Sequence, residues 1–250
     1  MSRAFVRGLW GNCAETKDFR GGKIHSDINI IKDNEYSEPF ITYVFGDRNK
    51  EYLESLGFEC RLIDSKPSIW DMVDQLYRHK LDVFKAAMED YDEIVFLDWD
   101  CRPTAPLPDD FWDVIGEKAS FQANLFQYRT KKCLWRKTDI RKVTNGGFVY
   151  MRDKTIPDKI IKNYDEFHEW VKKKGEERAS QGKELRFREK ALIFDDEPAM
   201  SKYADDSIGG WQGTDKYWEL FEPEFCNLKK KSAYPEEKLQ TKRECFVHWG

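Results

Sequence analysis

The sequence has six cysteines but no C-x-x-C pair, which removes the zinc knuckle and the redox dithiol as readings. No apolar run approaches the roughly 18–20 residues that a membrane span requires. The opening MSRAFVRGLWG also has no long apolar centre of the kind a secretory leader carries. A cationic excess is missing too: 46 acidic residues against 42 Lys and Arg leave a net charge of −4. That balance argues against general coating of nucleic acid and leaves room only for a local basic patch. Neither an internal repeat nor a low-complexity block is present. The expectation is a chain with reduced thiols and no membrane span, in the cytoplasm.

What is present is length and aromatic bulk. With 250 residues, 9 Trp, 11 Tyr and 17 Phe, the chain can fill the core of one large domain spanning 1–250. The first half reads as strands alternating with helices, the pattern of an α/β sheet with parallel neighbours. Ala4 to Trp10 is a first strand and Phe40 to Phe45 a second, closed by Gly46-Asp47. A short helix, NKEYLESL, leads through Gly57 into a third strand, FECRLID. Such β-α-β spacing is a nucleotide-binding architecture. Asp71 to Asp90 is helical, with Val73, Leu76, Phe84 and Ala87 on one face and Lys80 among them. Lys80 is either a lysine snorkelling at the helix edge or a cation facing the end of the next strand.

Beyond Trp112, KASFQANLF and NGGFVYMR are expected strands, and Ile160, Tyr164, Phe167 and Val171 have helical spacing. From Lys172 to Lys190 the sequence is strongly charged and interrupted by Gly175 and Gly182, the pattern of an exposed helix or loop.

DEIVFLDWDCRP holds the most pointed chemistry. An apolar strand ends in Asp98-Trp99-Asp100, where ligands bind beyond the carboxyl ends of an open α/β sheet. Residues two apart on an extended strand point the same way, so both carboxylates could address one hard divalent cation. At about 4 Å and an effective dielectric near 20, two such anions repel by roughly 4 kcal/mol unless a cation or hydrogen bonds compensate. The plainer reading is a turn with capping aspartates before Pro103, and the tripeptide alone leaves both open.

The longer stretch YRHKLDVFKAAMEDYDEIVFLDWDCRPTAPLPDDFW, from Tyr77 to Trp112, resembles the donor-site segment of GT-A glycosyltransferases, in particular the glycogenin-like retaining enzymes. A helix bearing a lysine, a strand, Asp-x-Asp, a proline-containing stretch and an acidic-aromatic helix arrive in that family's order. The resemblance implies a GT-A (Rossmann-like) α/β fold with a mixed central sheet flanked by helices. Residues 1–112 would be the donor half and 113–250 the acceptor half, ending in a metal-binding segment.

Three later stretches fit the same resemblance. TNGGFVYMR looks like the family's Asn-Ser/Ala-Gly turn, which implies donor-sugar contacts by Asn145, Gly146 and Gly147; the bare residues also suit an ordinary Asn-Gly hairpin. FDDEPAMS looks like the acidic segment beside donor and acceptor, implying catalytic roles for Asp196 and Glu197 with Asp195 nearby, although a helix N-terminus also favours acidic residues. FVHWG resembles the terminal His-x-x-Gly element, which implies His248 as a third metal ligand; otherwise a histidine in an apolar run packs as core. Here the glycine follows His248 by two positions instead of three, and no counterpart of the family's subsequent diphosphate-binding lysine is expected within residues 1–250. The basic stretch QYRTKKCLWRKTDIRK, with Tyr128 and Trp135 interleaved, is either solvated surface or a patch for a phosphate-bearing partner.

The resemblance therefore implies a hexosyltransferase-type enzyme that takes a nucleotide-sugar, a UDP-sugar above others, and transfers the sugar with retention. The metal set would be Asp98, Asp100 and His248. Imidazole plus carboxylate suits Mn2+, while Mg2+ prefers oxygen donors throughout. Asp98 would either take part in holding the metal or instead reach mainly the ribose hydroxyls, and Lys80 would balance donor charge. The acceptor is a glycan, a protein or, as a minority reading, a modified base in DNA. Two other classes compete: an HAD-like phosphohydrolase with Asp98 as nucleophile, and a noncatalytic module that binds glycan or nucleic acid.

Overall fold

A computed structural model of the chain describes residues 1–10, 36–64, 78–129, 140–190, 192–193, 196–207, 225–228 and 243–248. Strands β1 (Arg3–Leu9), β2 (Phe40–Val44) and β3 (Glu59–Leu62) fall on the expected strands, with helix α1 (Asp47–Ser55) between the last two. Helix α2 (Arg78–Asp90) leads into β4 (Glu93–Leu97), and a short β5 (Cys101–Pro103) precedes helix α3 (Phe111–Lys118). Val73 and Leu76, expected in the same helix as Lys80, lie outside the described residues. Strands β6 (Phe121–Arg129) and β7 (Ile140–Met151) follow, then helices α4 (Ile156–Ala179), α5 (Phe187–Lys190) and α6 (Glu197–Ser207), and strands β8 (Cys226–Leu228) and β9 (Phe246–His248).

The architecture is mixed α/β. Six strands form a sheet in the order β3-β2-β1-β4-β7-β6, parallel from β3 to β4, while β7 runs antiparallel to both β4 and β6. A second sheet of three short strands, β5-β9-β8, was not expected from the sequence.

Strand alternation sorts the core onto two faces. Ala4, Val6, Ile94, Phe96, Val149 and Met151 pack with Leu81, Phe84 and Ala87 of α2, Ile160 and Tyr164 of α4, and Met200 and Ala204 of α6. The intervening Phe5, Val95, Leu97, Phe148 and Tyr150 pack on the other side with Phe111, Trp112 and Ile115 of α3 and with Cys226 and Phe246 of the small sheet. Helices cover one face, and α3 with the small sheet covers the other. Each fully buried large apolar side chain contributes roughly 1.5–3 kcal/mol. The carboxyl end of β4 is thus walled by β7 beside it in the sheet, by α2 on one face and by the small sheet on the other.

Of the helix and the loop left open for the charged segment, the helix forms as far as Ala179, running on through Gly175; Phe167 and Val171 bury against Leu192 and Ile193 and hold it down. The turn after it carries Gly182 at φ +65°, a left-handed position that suits glycine. Of the two readings open for Asn145-Gly146, the hairpin tip is excluded: the pair lies inside β7, on the strand expected for NGGFVYMR. Opposite β6 the register jumps from Ala123↔Val149 to Asn124↔Asn145, so Gly146, Gly147 and Phe148 are set out as a bulge. Pairing of Phe148 with Leu97 of β4 holds that bulge from the other side.

Candidate active site

Asp98 follows the last residue of β4, and its N–H donates to the Gly147 carbonyl at 2.9 Å. The Cys101 N–H then donates to the Asp98 carbonyl at 2.9 Å, closing a turn over Asp98–Cys101. The two carboxylates therefore do not share the face of an extended strand. They flank the tip of a turn whose second residue, Trp99, is buried at 4 % exposure and points away from them into the core.

His248 reaches the same place from the small sheet. It stands opposite Cys101 in the antiparallel β5–β9 pair, which puts its Nε2 3.2 Å from Asp100 Oδ1 across 148 residues of sequence. One ligand atom each from Asp98, Asp100 and His248 lies within 4.8 Å of the others. The imidazole is 3 % exposed and its Nδ1 has no hydrogen-bond partner among the described residues. It rests on Gly147, where an added Cβ would overlap the ring atoms. Two carboxylates and an imidazole crowded this closely fit a divalent ion, since the anions repel until a cation sits between them. Burial pushes the Asp98 carboxyl above the ordinary carboxylate range; Lys80 and His248 oppose that rise and Asp196 adds to it.

Lys80 comes from α2 and is 4 % exposed. Its Nζ lies 3.0 Å from Asp98 Oδ2 and 3.3 Å from Asp196 Oδ2, and it donates to the Gly146 carbonyl at 3.4 Å. The lysine does not snorkel at a helix edge; its ammonium group sits at the site. An added Cβ on Gly146 would come within 2.7 Å of that nitrogen and would overlap Asp196, so the lysine and the aspartate both need glycine there.

Asp196 immediately precedes α6, and Glu197 opens that helix, so the acidic pair does stand at a helix N-terminus, as its composition allowed. Both also address the site. Glu197 Oε1 accepts from Asn145 Nδ2 at 3.1 Å, while Asn145 Oδ1 accepts the Gly147 N–H at 2.9 Å. The end of α6 is tied to β7 by residues the sequence did not single out. Ser201 Oγ accepts the Thr144 N–H at 3.0 Å and lies 2.6 Å from the Glu197 carbonyl as its donor. A serine four residues into a helix carries no sequence signal for such a tie. Arg7 and Trp99, on the buried side of the turn, were equally silent.

All of the expected site residues, Lys80, Asp98, Asp100, Asn145, Gly146, Gly147, Asp196, Glu197 and His248, are thus brought together. Asp195 and residues 130–139 of the basic stretch lie outside the described residues. A groove between α4 and α6, lined by Lys159, Lys162, Asn163 and Lys202 among others, shares no residue with this site.

No protein-family model matches the sequence, and no curated protein matches it. Among solved structures, the apo structure of the bifunctional glycosyltransferase WbbM is similar, with a TM-score of 0.49 and 13 % identity; the match covers 100 % of this chain and 46 % of that one. No helix among the described residues is long and apolar enough to cross a membrane.

Proposed function

We propose that this chain is a metal-dependent glycosyltransferase of the GT-A type that takes a sugar from a nucleotide-sugar donor, a UDP-sugar foremost, and passes it on with retention of configuration. The observation that carries this reading is the convergence of Asp98, Asp100 and His248 within 4.8 Å, from the two places in the sequence that resemble the metal-binding elements of such enzymes. Asp98, Asp100 and His248 would hold Mn2+, or Mg2+ less well. Bound there, the ion would supply Lewis-acid stabilisation of the negative charge that develops on a departing diphosphate.

The remaining residues have work that their positions support. Lys80 offers an ammonium beside Asp98, suited to balancing donor charge. Asn145, oriented by Glu197 and by the Gly147 N–H, offers an amide to sugar hydroxyls, while Gly146 and Gly147 serve the donor indirectly, by leaving room for Lys80, Asp196 and His248. Asp196 or Glu197 would orient the sugar and stabilise positive charge at the anomeric carbon. The acceptor would be a glycan, a protein or a modified base in DNA.

A donor screen tests the reading. The protein is incubated with Mn2+ and a panel of UDP-, GDP- and other nucleotide sugars, and nucleotide release is measured. Release with one donor, lost in Asp100→Ala and His248→Ala, is the expected result. Release of phosphate from a phosphomonoester without any nucleotide sugar, abolished by Asp98→Asn, would replace it with the phosphohydrolase reading. Absence of turnover with every donor would leave a binding module.

A further inference from the structure

We infer that Arg7 and Trp99 are positioning residues that set the spacing of the metal-binding carboxylates from the buried side of the turn; the inference rests on the metal site proposed above. Trp99 is the residue between the two aspartates, and its side chain is fixed on three sides. Its indole N–H donates to the Gly8 carbonyl of β1 at 2.9 Å. Its ring meets Phe58 edge-on, with centroids 5.5 Å apart at 81°. The Arg7 guanidinium lies 4.8 Å from the Trp99 ring centroid and 4.8 Å from that of Phe40, a cation held between two aromatic faces.

Arg7 also grips the turn directly. Its Nη2 donates to the Cys101 carbonyl at 3.2 Å, while the Asp98 N–H is held by Gly147 at the other end. The first residue of the turn is therefore anchored to β7, the second to β1, and the last to the Arg7 side chain. Only the two aspartate side chains face the site. A four-residue turn with three such anchors has little freedom to let Asp98 and Asp100 drift apart, which is what preorganised ligation requires. Arginine suits the place because a planar fork can stack between two rings and still donate to a carbonyl, and lysine cannot.

The competing explanation is that a buried arginine and tryptophan add stability and nothing else. Mn2+ binding, followed by loss of the free-ion EPR signal at 10 °C, separates the two, with near-UV circular dichroism confirming the fold of each variant. Trp99→Phe keeps an aromatic ring and loses the indole N–H; Arg7→Met removes the fork; Arg7→Lys keeps the charge. Phe84→Leu, a core substitution within α2 facing Phe96, serves as a control for loss of core packing alone. The expected result is Mn2+ affinity weakened roughly 10–100-fold in Arg7→Met, Arg7→Lys and Trp99→Phe, the range found for groups that orient a metal ligand, with Phe84→Leu binding as the wild type does. Should Arg7→Met fail to fold, Arg7→Lys and Trp99→Phe decide. Wild-type affinity in those variants, rescue by Arg7→Lys, or an equal loss in Phe84→Leu overturns the positioning role alone. Wild-type protein that shows no Mn2+ binding sensitive to Asp100→Asn overturns the metal site and the positioning role together.

Discussion

Replacing Lys80 with methionine removes a cation that faces two carboxylates in a poorly hydrated place. Its Nζ lies 3.0 Å from Asp98 and 3.3 Å from Asp196, with the lysine and Asp196 side chains 5 % and 2 % exposed. At an effective dielectric near 20, each contact taken alone amounts to roughly 5 kcal/mol of attraction. Desolvation of the charged groups offsets much of that in the wild type. It does not offset it in the variant, where Asp196 stays buried without its partner while Asp98, 28 % exposed, keeps part of its hydration, so the loss falls at the low end of the about 3–5 kcal/mol for breaking a buried pair. The pH dependence follows from Asp98, whose carboxyl burial already raises and Lys80 holds down. Without Lys80 it rises further. A carboxyl raised in the folded state stabilises the fold when protonated, and that contribution is lost as pH climbs through its folded value. The difference between wild type and Lys80→Met should therefore be largest near pH 7 and shrink toward pH 4. Urea unfolding at the two pH values, in metal-free buffer, measures it. A loss below about 1 kcal/mol at pH 7, or one that grows as pH falls, would refute the claim that Lys80 neutralises these carboxylates.

Gly147→Ala should weaken Mn2+ binding by roughly tenfold or more, because the new methyl overlaps the His248 imidazole, and should lower stability by about 1–3 kcal/mol through overpacking; calorimetric titration and thermal unfolding report the two effects. His79 is 1 % exposed beside Phe45 and Trp10, and burial lowers its pKa to about 4. Its contribution is present above the unfolded value near 6.5 and is lost as pH falls toward 4, worth up to about 3 kcal/mol. In His79→Leu that part of the pH–stability curve should flatten, and an unchanged slope between pH 6.5 and 4.5 would refute it. Ser201→Ala removes the tie from α6 to Thr144 and the Glu197 carbonyl; an expected loss of about 1–3 kcal/mol for the stranded Thr144 N–H can be read by chemical denaturation.

The parallel half of the sheet was legible because β1, β2 and β4 are apolar runs bounded by Gly or Asp, and buried parallel strands read that way. Lys80 was legible as a lysine on an apolar helical face, but its partners were not, since Asp98 and Asp196 arrive from other elements. Asn145-Gly146 left a hairpin and a strand both open for a definite reason. The pair is a strong local hairpin signal, and it was overridden by pairing of β7 with strands on both sides, which converts the flexibility of two glycines into a bulge. At Asp98-Trp99-Asp100 strand geometry was carried one turn too far, and of the two open readings the turn describes the backbone. Strands of three residues, such as β5, β8 and β9, show no period at all, so the small sheet left no trace in the sequence. His248 was found through resemblance, and no local pattern marks it.

The small sheet is nonetheless what makes the site a single object. Asp98 is positioned by the main sheet, through its bond to Gly147 of β7. Asp100 and His248 are positioned by the β5–β9 pair, in which Cys101 faces His248. The proposed ligands thus belong to two sheets, packed face to face through the aromatic layer of Phe5, Phe111, Phe148 and Phe246 and joined at the turn. An ion shared by all three would bridge the junction, so its binding free energy would add to the docking of one sheet on the other. A carboxylate pair and a histidine held from separate layers also explain why Gly147 touches both: its carbonyl fixes Asp98 while its missing side chain leaves room for the imidazole. A larger residue at 147 would have to choose between the two sheets, and the centre would come apart along the seam where it was assembled.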